Sequence, residues 1–207
     1  MTYKQVRELT LKLLMQYSIA GSTIPNVYNN QQDYLLRIPG LVNDAVMEIA
    51  TTVRKIPEFF DIASAEQEDF GKQIRVTLPD DFYQFMSGSV MKTRKGELIH
   101  TNKFHIQGKN YMLLPKDELE NYQIIYYRYP KQLSEEPADT DELDNVPETH
   151  NAIPYYVAAM LVSYDDAFLC SLLMNAYNDR LQKMYPDISA EVHPTADQYG
   201  FYRLGVE

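Results

Sequence analysis

Apolar residues recur three and four positions apart near both ends of the chain and two positions apart in its middle. This change of period divides the sequence into helical flanks around a strand-rich centre. Thr2 followed by Gln5 matches a capping box, and Val6, Leu9, Leu13 and Tyr17 share one helical face, so a first helix is predicted from Tyr3 to Tyr17. Gly21, Pro25, Asn26 and Asn29 then favour a connecting loop. Asn30 is placed to cap a second helix with Asp33 in its first turn, and Tyr34, Ile38, Leu41, Ala45, Ile49 and Val53 form its apolar stripe. Pro39-Gly40 interrupts the stripe and predicts a kink or short break, because proline lacks a backbone donor and crowds the preceding turn. Lys55-Ile56-Pro57 supplies a basic last turn and a stop.

From Phe59 to Pro130 the pattern alternates. Ile74 to Leu78 reads as a strand, Pro79-Asp80-Asp81 as a turn or single helical turn carrying Phe82 and Phe85, and further strands are predicted at Ser89 to Thr93, Leu98 to His100, Lys103 to Gln107 and Asn110 to Leu114. Gly108-Lys109 fits a two-residue hairpin turn beginning with glycine. Tyr122 to Tyr129 is apolar or aromatic on both faces, as expected of a central or doubly covered strand.

Between Ser134 and His150 lie seven acidic residues and no Lys or Arg, with Pro137 and Pro147, which predicts an extended acidic linker ordered only at its ends. Helical spacing resumes at Ile153, Val157, Met160, Leu161, Tyr164 and Phe168. It continues through Leu169, Leu172, Leu173, Tyr177, Leu181 and Met184, with Ser163 and Asp166 placed to cap a split between two helices. The tail that follows is broken by Pro194 and Gly200, yet gathers Tyr199, Phe201, Tyr202 and Leu204, a candidate partner-binding segment.

The expected fold class is therefore α+β. A mainly helical core would combine an N-terminal helix pair (residues 1–57) with a C-terminal pair (151–186), with an inserted small antiparallel β module (58–130), an acidic linker (131–150) and a tail (187–207).

Composition narrows the function. The formal net charge of −10 argues against tight, sequence-independent binding to nucleic acid, which draws on clustered cations. No run of about eighteen apolar residues and no signal-peptide pattern occurs, so synthesis in the cytoplasm is expected, with no membrane association. Cys170, the one cysteine, sits in a helical pattern beside Leu169 and Leu172 and reads as a buried hydrophobe; a disulfide framework is excluded. There is no phosphate-binding glycine loop, nucleophile elbow or His-Glu-x-x-His, and the four histidines do not cluster. His100 and His105 come closest to a metal pair, but their odd separation puts them on opposite faces of a continuous strand. Asp80-Asp81 and Asp165-Asp166 read as turn and capping residues, since adjacent carboxylates diverge. The seventeen tyrosines suit packing better than base stacking, which requires a positive groove around the rings. No catalytic residue, metal site or cofactor site is expected.

Several segments in order carry a resemblance: the N-terminal helical pair, Leu78-Pro79-Asp80-Asp81-Phe82, Tyr126-Tyr127-Arg128-Tyr129-Pro130, the acidic linker, Val146-Pro147-Glu148, Ile153-Pro154-Tyr155-Tyr156-Val157-Ala158-Ala159 and Tyr177-Asn178-Asp179-Arg180-Leu181. In this order the chain resembles the head-to-tail connector, or adaptor, proteins of tailed bacteriophages and prophages, whose smaller members are nearly all helical. The resemblance implies a non-enzymatic structural protein of the virion neck, made in the host cytoplasm. It would form a homo-oligomeric ring of about twelve copies that joins the portal protein to tail or head-completion proteins, while DNA at most passes through. Tyr199, Phe201, Tyr202 and Leu204 would then meet the portal or an adjacent subunit. The alternatives are a tail-completion or scaffolding protein of the same particle, and a phage enzyme with an unrecognised site built near Asp80, Asp81 or His105.

Overall fold

A computed structural model describes residues 1–14, 30–62, 65–94, 97–101, 103–108, 110–116 and 122–184. Helix α1, Tyr3–Leu13, opens with the capping box: the Gln5 amide donates to the Thr2 hydroxyl at 3.4 Å and the Thr2 amide to Gln5 Oε1 at 3.0 Å. The part of the predicted first helix beyond Leu14 lies outside the described residues. Helix α2, Asn30–Glu48, continues into a π-helical turn, Ile49–Val53, where Thr51 and Thr52 donate their hydroxyls back to the carbonyls of Met47 and Glu48. Of the kink or short break expected at Pro39, the break does not occur: the helix runs through it. Proline in a helix interior costs about 3 kcal/mol, and the fully buried Ile38, Val42 and Ala45 around it offset that cost by packing.

Helices α3, Ile153–Val162, and α4, Ala167–Gln182, are separated where the sequence suggested, with Asp166 as the cap of α4. Helix α3 packs against α1, α2 and α4. Ala158 and Ala159 are fully buried on it, small enough to let its neighbours approach closely. Tyr177 of α4 packs its ring, tilted by 55°, on Tyr156 with centroids 5.3 Å apart and donates its hydroxyl to Glu48 at 3.2 Å, so one aromatic residue joins three helices.

The central region forms two antiparallel sheets of four strands, β1 Ile56–Asp61, β2 Gln67–Phe70, β3 Gln73–Thr77, β4 Phe82–Arg94, β5 Glu97–His100, β6 His105–Gln107, β7 Tyr111–Pro115 and β8 Tyr122–Arg128. The strand orders are β1-β8-β4-β5 and β2-β3-β7-β6. Gly108, at φ +67°, begins the β6–β7 turn, where a side chain would be strained. The inner faces of both sheets share a buried cluster that includes Val76, Met112 and Leu114 from one and Val90, Tyr122, Ile124 and Tyr126 from the other.

This architecture corrects the expected fold class of a mainly helical core with a small β insertion. The strands are not an appendage: they make two sheets around a hydrophobic cluster of their own, distinct from the cluster formed by Val6, Ile38, Ile49, Val157, Tyr177 and their neighbours. Two local patterns concealed the extent of the sheets. Lys55-Ile56-Pro57 reads as a helix stop, and the helical run does end at Val53, but Ile56 and Pro57 already belong to β1, an edge strand where proline removes no central hydrogen bond. Phe82 and Phe85, three residues apart, read as one helical turn. They lie instead in β4, where register shifts between Phe82 and Gln84 and between Phe85 and Val90 allow both rings to pack on the core.

The acidic connection also departs from an extended linker ordered only at its ends. The Tyr3 amide donates to the Asp141 carbonyl at 2.7 Å, Thr2 and Glu142 form a β-bridge, Arg7 pairs with Asp139 at 2.8 Å and Leu143 is buried with the helices. Asn43 donates to the Leu133 carbonyl at 2.9 Å and accepts from its amide at 2.8 Å, imitating a strand partner. Carboxylates that would repel one another if extended are thus distributed onto Arg7, Arg128 and backbone donors.

Candidate interaction surface

The turn between α3 and α4 is built by short-range hydrogen bonds. The amides of Asp165 and Asp166 both donate to the Val162 carbonyl, at 3.0 and 2.9 Å, the Ser163 hydroxyl returns to Met160, and Asp166 Oδ1 accepts the Leu169 amide at 2.9 Å. Closing the turn this way starts α4 in a fixed register. Leu173, Tyr177 and Leu181 face the core, and Phe168 and Leu172 face away from it.

The result is a row of large apolar side chains in water: Tyr164 is 93% exposed, Phe168 80% and Leu172 58%. Phe168 and Leu172 are one helical turn apart and so are neighbours on the helix surface. Tyr164 lies in the turn before the helix, beyond the extended Asp166, and adds a third exposed ring at this end of the helix pair. Single exposed apolar residues are ordinary on protein surfaces, whereas a contiguous set marks a contact surface. Fully burying one such side chain is worth about 1.5–3 kcal/mol, so covering the row would contribute on the order of 5 kcal/mol to an association.

A second set of aromatic rings, exposed or half-buried, lies on the outer face of the first sheet. Phe59 is 63% exposed on β1, Tyr83 lies 4.9 Å from Tyr129, and the Lys55 ammonium sits over Tyr127 at 5.2 Å while donating to Gln84 at 2.8 Å. This explains why Tyr122 to Tyr129 is aromatic on both faces: Tyr122, Ile124 and Tyr126 are buried, while Ile125 and Tyr127 are half-buried on the far side.

No protein-family model matches this chain, and no curated protein matches it either.

The groups proposed for chemistry have structural partners or stand apart. Asp81 accepts the Tyr126 hydroxyl at 2.8 Å and the Tyr129 amide at its carbonyl, which fastens the turn before β4 to β8. Burial first, and the neighbouring Asp81 carboxylate second, push the Tyr126 phenol well above its ordinary range, as befits a fixed donor. Asp166 is spent on the cap of α4. His100 and His105 lie in different sheets, and among the described residues no group of three or more His, Cys, Asp or Glu side chains is arranged to hold a metal. Cys170 is half-buried against the helical cluster. No described helix is long and apolar enough to cross a membrane.

Tyr199, Phe201, Tyr202 and Leu204 lie outside the described residues. The apolar row on α4 escaped sequence reasoning because Phe168 and Leu172 continue the same three-and-four spacing as the core positions. Only the register set by the Asp166 cap separates the two faces.

Proposed function

We propose that this chain is a structural protein of the neck of a tailed-phage particle, a connector that forms a ring between portal and tail and keeps packaged DNA inside. The observation that carries the reading is the exposed row of Tyr164, Phe168 and Leu172, a surface suited to contact with other proteins. The segments that resemble connectors support it, and so does the charge of −10, since an acidic wall around a DNA passage repels phosphate. Asp81 and Asp166, the carboxylates nearest to an enzymatic reading, serve as a latch and a cap.

Electron microscopy of the purified protein with and without a tailed-phage portal protein tests the proposal. A closed ring stacked on the portal is the expected result. Binding to tail proteins but not to the portal would move the assignment to tail completion, and failure to bind any particle protein would overturn it.

A further inference from the structure

The sign of the chain reverses over one segment. From Leu98 to Lys116 there are three lysines, two histidines and no Asp or Glu, on a chain whose net charge is −10. The middle of this segment is the hairpin of β6 and β7, at one edge of the second sheet. Every described residue from His105 to Tyr111 is exposed, so the end of the hairpin stands clear of the body of the protein. Its backbone is nonetheless fixed: the Leu78 amide donates to the Asn110 carbonyl at 2.8 Å, and the Lys103 amide to the Thr101 hydroxyl at 3.2 Å. Ile106 stands opposite the fully buried Met112 in the sheet register yet is itself 51% exposed, because β6 reaches past the edge of the core. The exposed Lys103 has no carboxylate partner among the described residues.

Negative charge is gathered in a groove of about 390 Å³ between α2 and the acidic connection. Leu36, Pro39 and Leu133 give it apolar walls, Glu135 and Glu136 give it charge, and no cation is among its described lining residues. Other acids of the connection are engaged, Asp139 by Arg7 and Asp144 by Arg128. Glu135 and Glu136 are exposed and have no cation partner among the described residues, and Leu36 is 79% exposed. A concavity that joins leucine to carboxylates fits a protruding apolar side chain with an ammonium close by.

We infer that the β6–β7 hairpin of one copy of this chain seats in the groove of Leu36, Leu133, Glu135 and Glu136 on a second copy, with Ile106 against the leucines and Lys103 beside the glutamates. The inference rests on the reading of the protein as an assembling component and names one contact through which it assembles. A second copy is the occupant because the protruding shape, the apolar tip and the unpaired ammonium that suit the groove are all present on this chain. Within one copy the hairpin and the glutamates are both exposed to water, so each is open to a neighbour. Two different patches meet, which makes the association head-to-tail and able to close into a ring. The charges supply direction and register, while burial of Ile106 and Leu36 supplies apolar area.

The test mixes full-length protein labelled with ¹⁴N and ¹⁵N at low salt, couples carboxylates to amines with a zero-length carbodiimide, and identifies the joined peptides by mass spectrometry. Lys103 or Lys109 joined to Glu135 or Glu136 in mixed-isotope pairs is the expected product. Sedimentation should show association weakened at least tenfold by Lys103→Glu with Lys109→Glu, and equally by Glu135→Lys with Glu136→Lys. Association should return when the two reversed proteins are mixed, a result that requires both to be folded. Same-isotope pairs alone would mean that the hairpin reaches the groove of its own chain, and would overturn the inference. So would joining of these lysines only to carboxylates elsewhere, a wild-type protein that stays monomeric at low salt, or reversed variants that associate like the wild type. Reversed variants that still form rings on the portal would remove this contact and leave the connector reading intact. A wild type that associates through this contact but ignores the portal would do the opposite.

Discussion

Arg128 donates to both carboxylate oxygens of Asp144, from Nη1 at 2.5 Å and from Nη2 at 2.7 Å, and so fastens the end of β8 to the connection that returns to the helices. Asp144 also accepts the Lys131 amide at 2.6 Å, and Arg128 reaches Glu58 of β1 at 3.3 Å. The Arg128 side chain is only 13% exposed, which shelters this fork from the screening that weakens surface pairs. Asp144→Asn should destabilise the protein by about 2 kcal/mol through lost charge-assisted bonds. The melting temperature would fall by roughly 4–8 °C. Urea unfolding of the variant measures the loss, and a change below about 0.5 kcal/mol would place the fork among ordinary surface pairs.

The same contact sets an acid limit. The Arg128 hydrogen bonds, and to a smaller extent the Lys131 amide, hold the Asp144 carboxyl below its ordinary range against the opposing effect of burial. A depressed carboxyl binds fewer protons folded than unfolded, so its contribution is complete above the unfolded value near 3.9 and disappears as pH falls through the lower folded value. Stability curves of wild type and Asp144→Asn should run parallel above about pH 5 and converge below about pH 4. Curves that stay parallel through pH 3 would contradict this.

His150 imposes a second, milder limit. Its Nδ1 accepts from the Met1 ammonium at 2.9 Å and its Nε2 is buried without a hydrogen-bond partner among the described residues. Burial first and the ammonium second lower its pKa, so the folded protein favours the neutral ring. The unfolded chain therefore takes up the proton first. The stabilisation is present above the ordinary histidine value of about 6.5 and is lost as pH drops through the lower folded value. Wild-type melting temperature should decline between about pH 6.5 and 5, and His150→Gln should flatten that slope. An unchanged slope in the variant would assign the decline to other groups.

Pro39→Ala should stabilise the protein. Helix α2 runs through this position, and alanine restores a backbone donor and removes the ring's clash with the preceding turn. The gain should be roughly 1–3 kcal/mol, reduced by the greater freedom of the unfolded chain. Chemical denaturation decides it, and a destabilised variant would show that α2 depends on the ring's own packing.

Phe168→Ser with Leu172→Ser separates folding from association. Both side chains are mostly exposed, so stability should change by less than about 0.5 kcal/mol. Under the proposed connector reading, retention on immobilised portal should fall at least tenfold, through the loss of two apolar anchors. Equal retention by the variant would remove the row on α4 from the contact.

The local grammar of the helices was legible in the sequence. Thr2 with Gln5, and Asp166 at the head of α4, are capping signals whose physics is confined to a few residues, and the caps formed there. The position of Gly108 at positive φ was legible as well, although Gln107 pairs with Tyr111 and so leaves three residues between the strands where a two-residue turn was expected. The size of the sheets was not, because the bulged register of β4 imitates a helical turn and Pro57, which does follow the end of the helix, hides that a strand begins at once. The ordered connection was hidden as well. Repulsion among its acids is visible in the sequence, but their partners Arg7 and Arg128 are distant along the chain. The exposed row on α4 depended on which of two equally spaced apolar sets would find a core, a choice made by tertiary packing.

Pairing of β1 with β8 has a kinetic consequence. Ile56 lies opposite Arg128, so the chain leaves the helices and returns to them through adjacent strands. The span from Val53 to Ile153 is 100 residues (153 − 53), and α2 must find α3 across it. Once the two strands zip, the path shortens to 28 residues, 3 before Ile56 and 25 after Arg128. Loop-closure entropy then opposes the docking of α2 on α3 by about 1 kcal/mol less. The sheets should therefore acquire protection before the α2–α3 contact in pulse-labelled hydrogen exchange, with α2 waiting for the strands to bring its partner within reach.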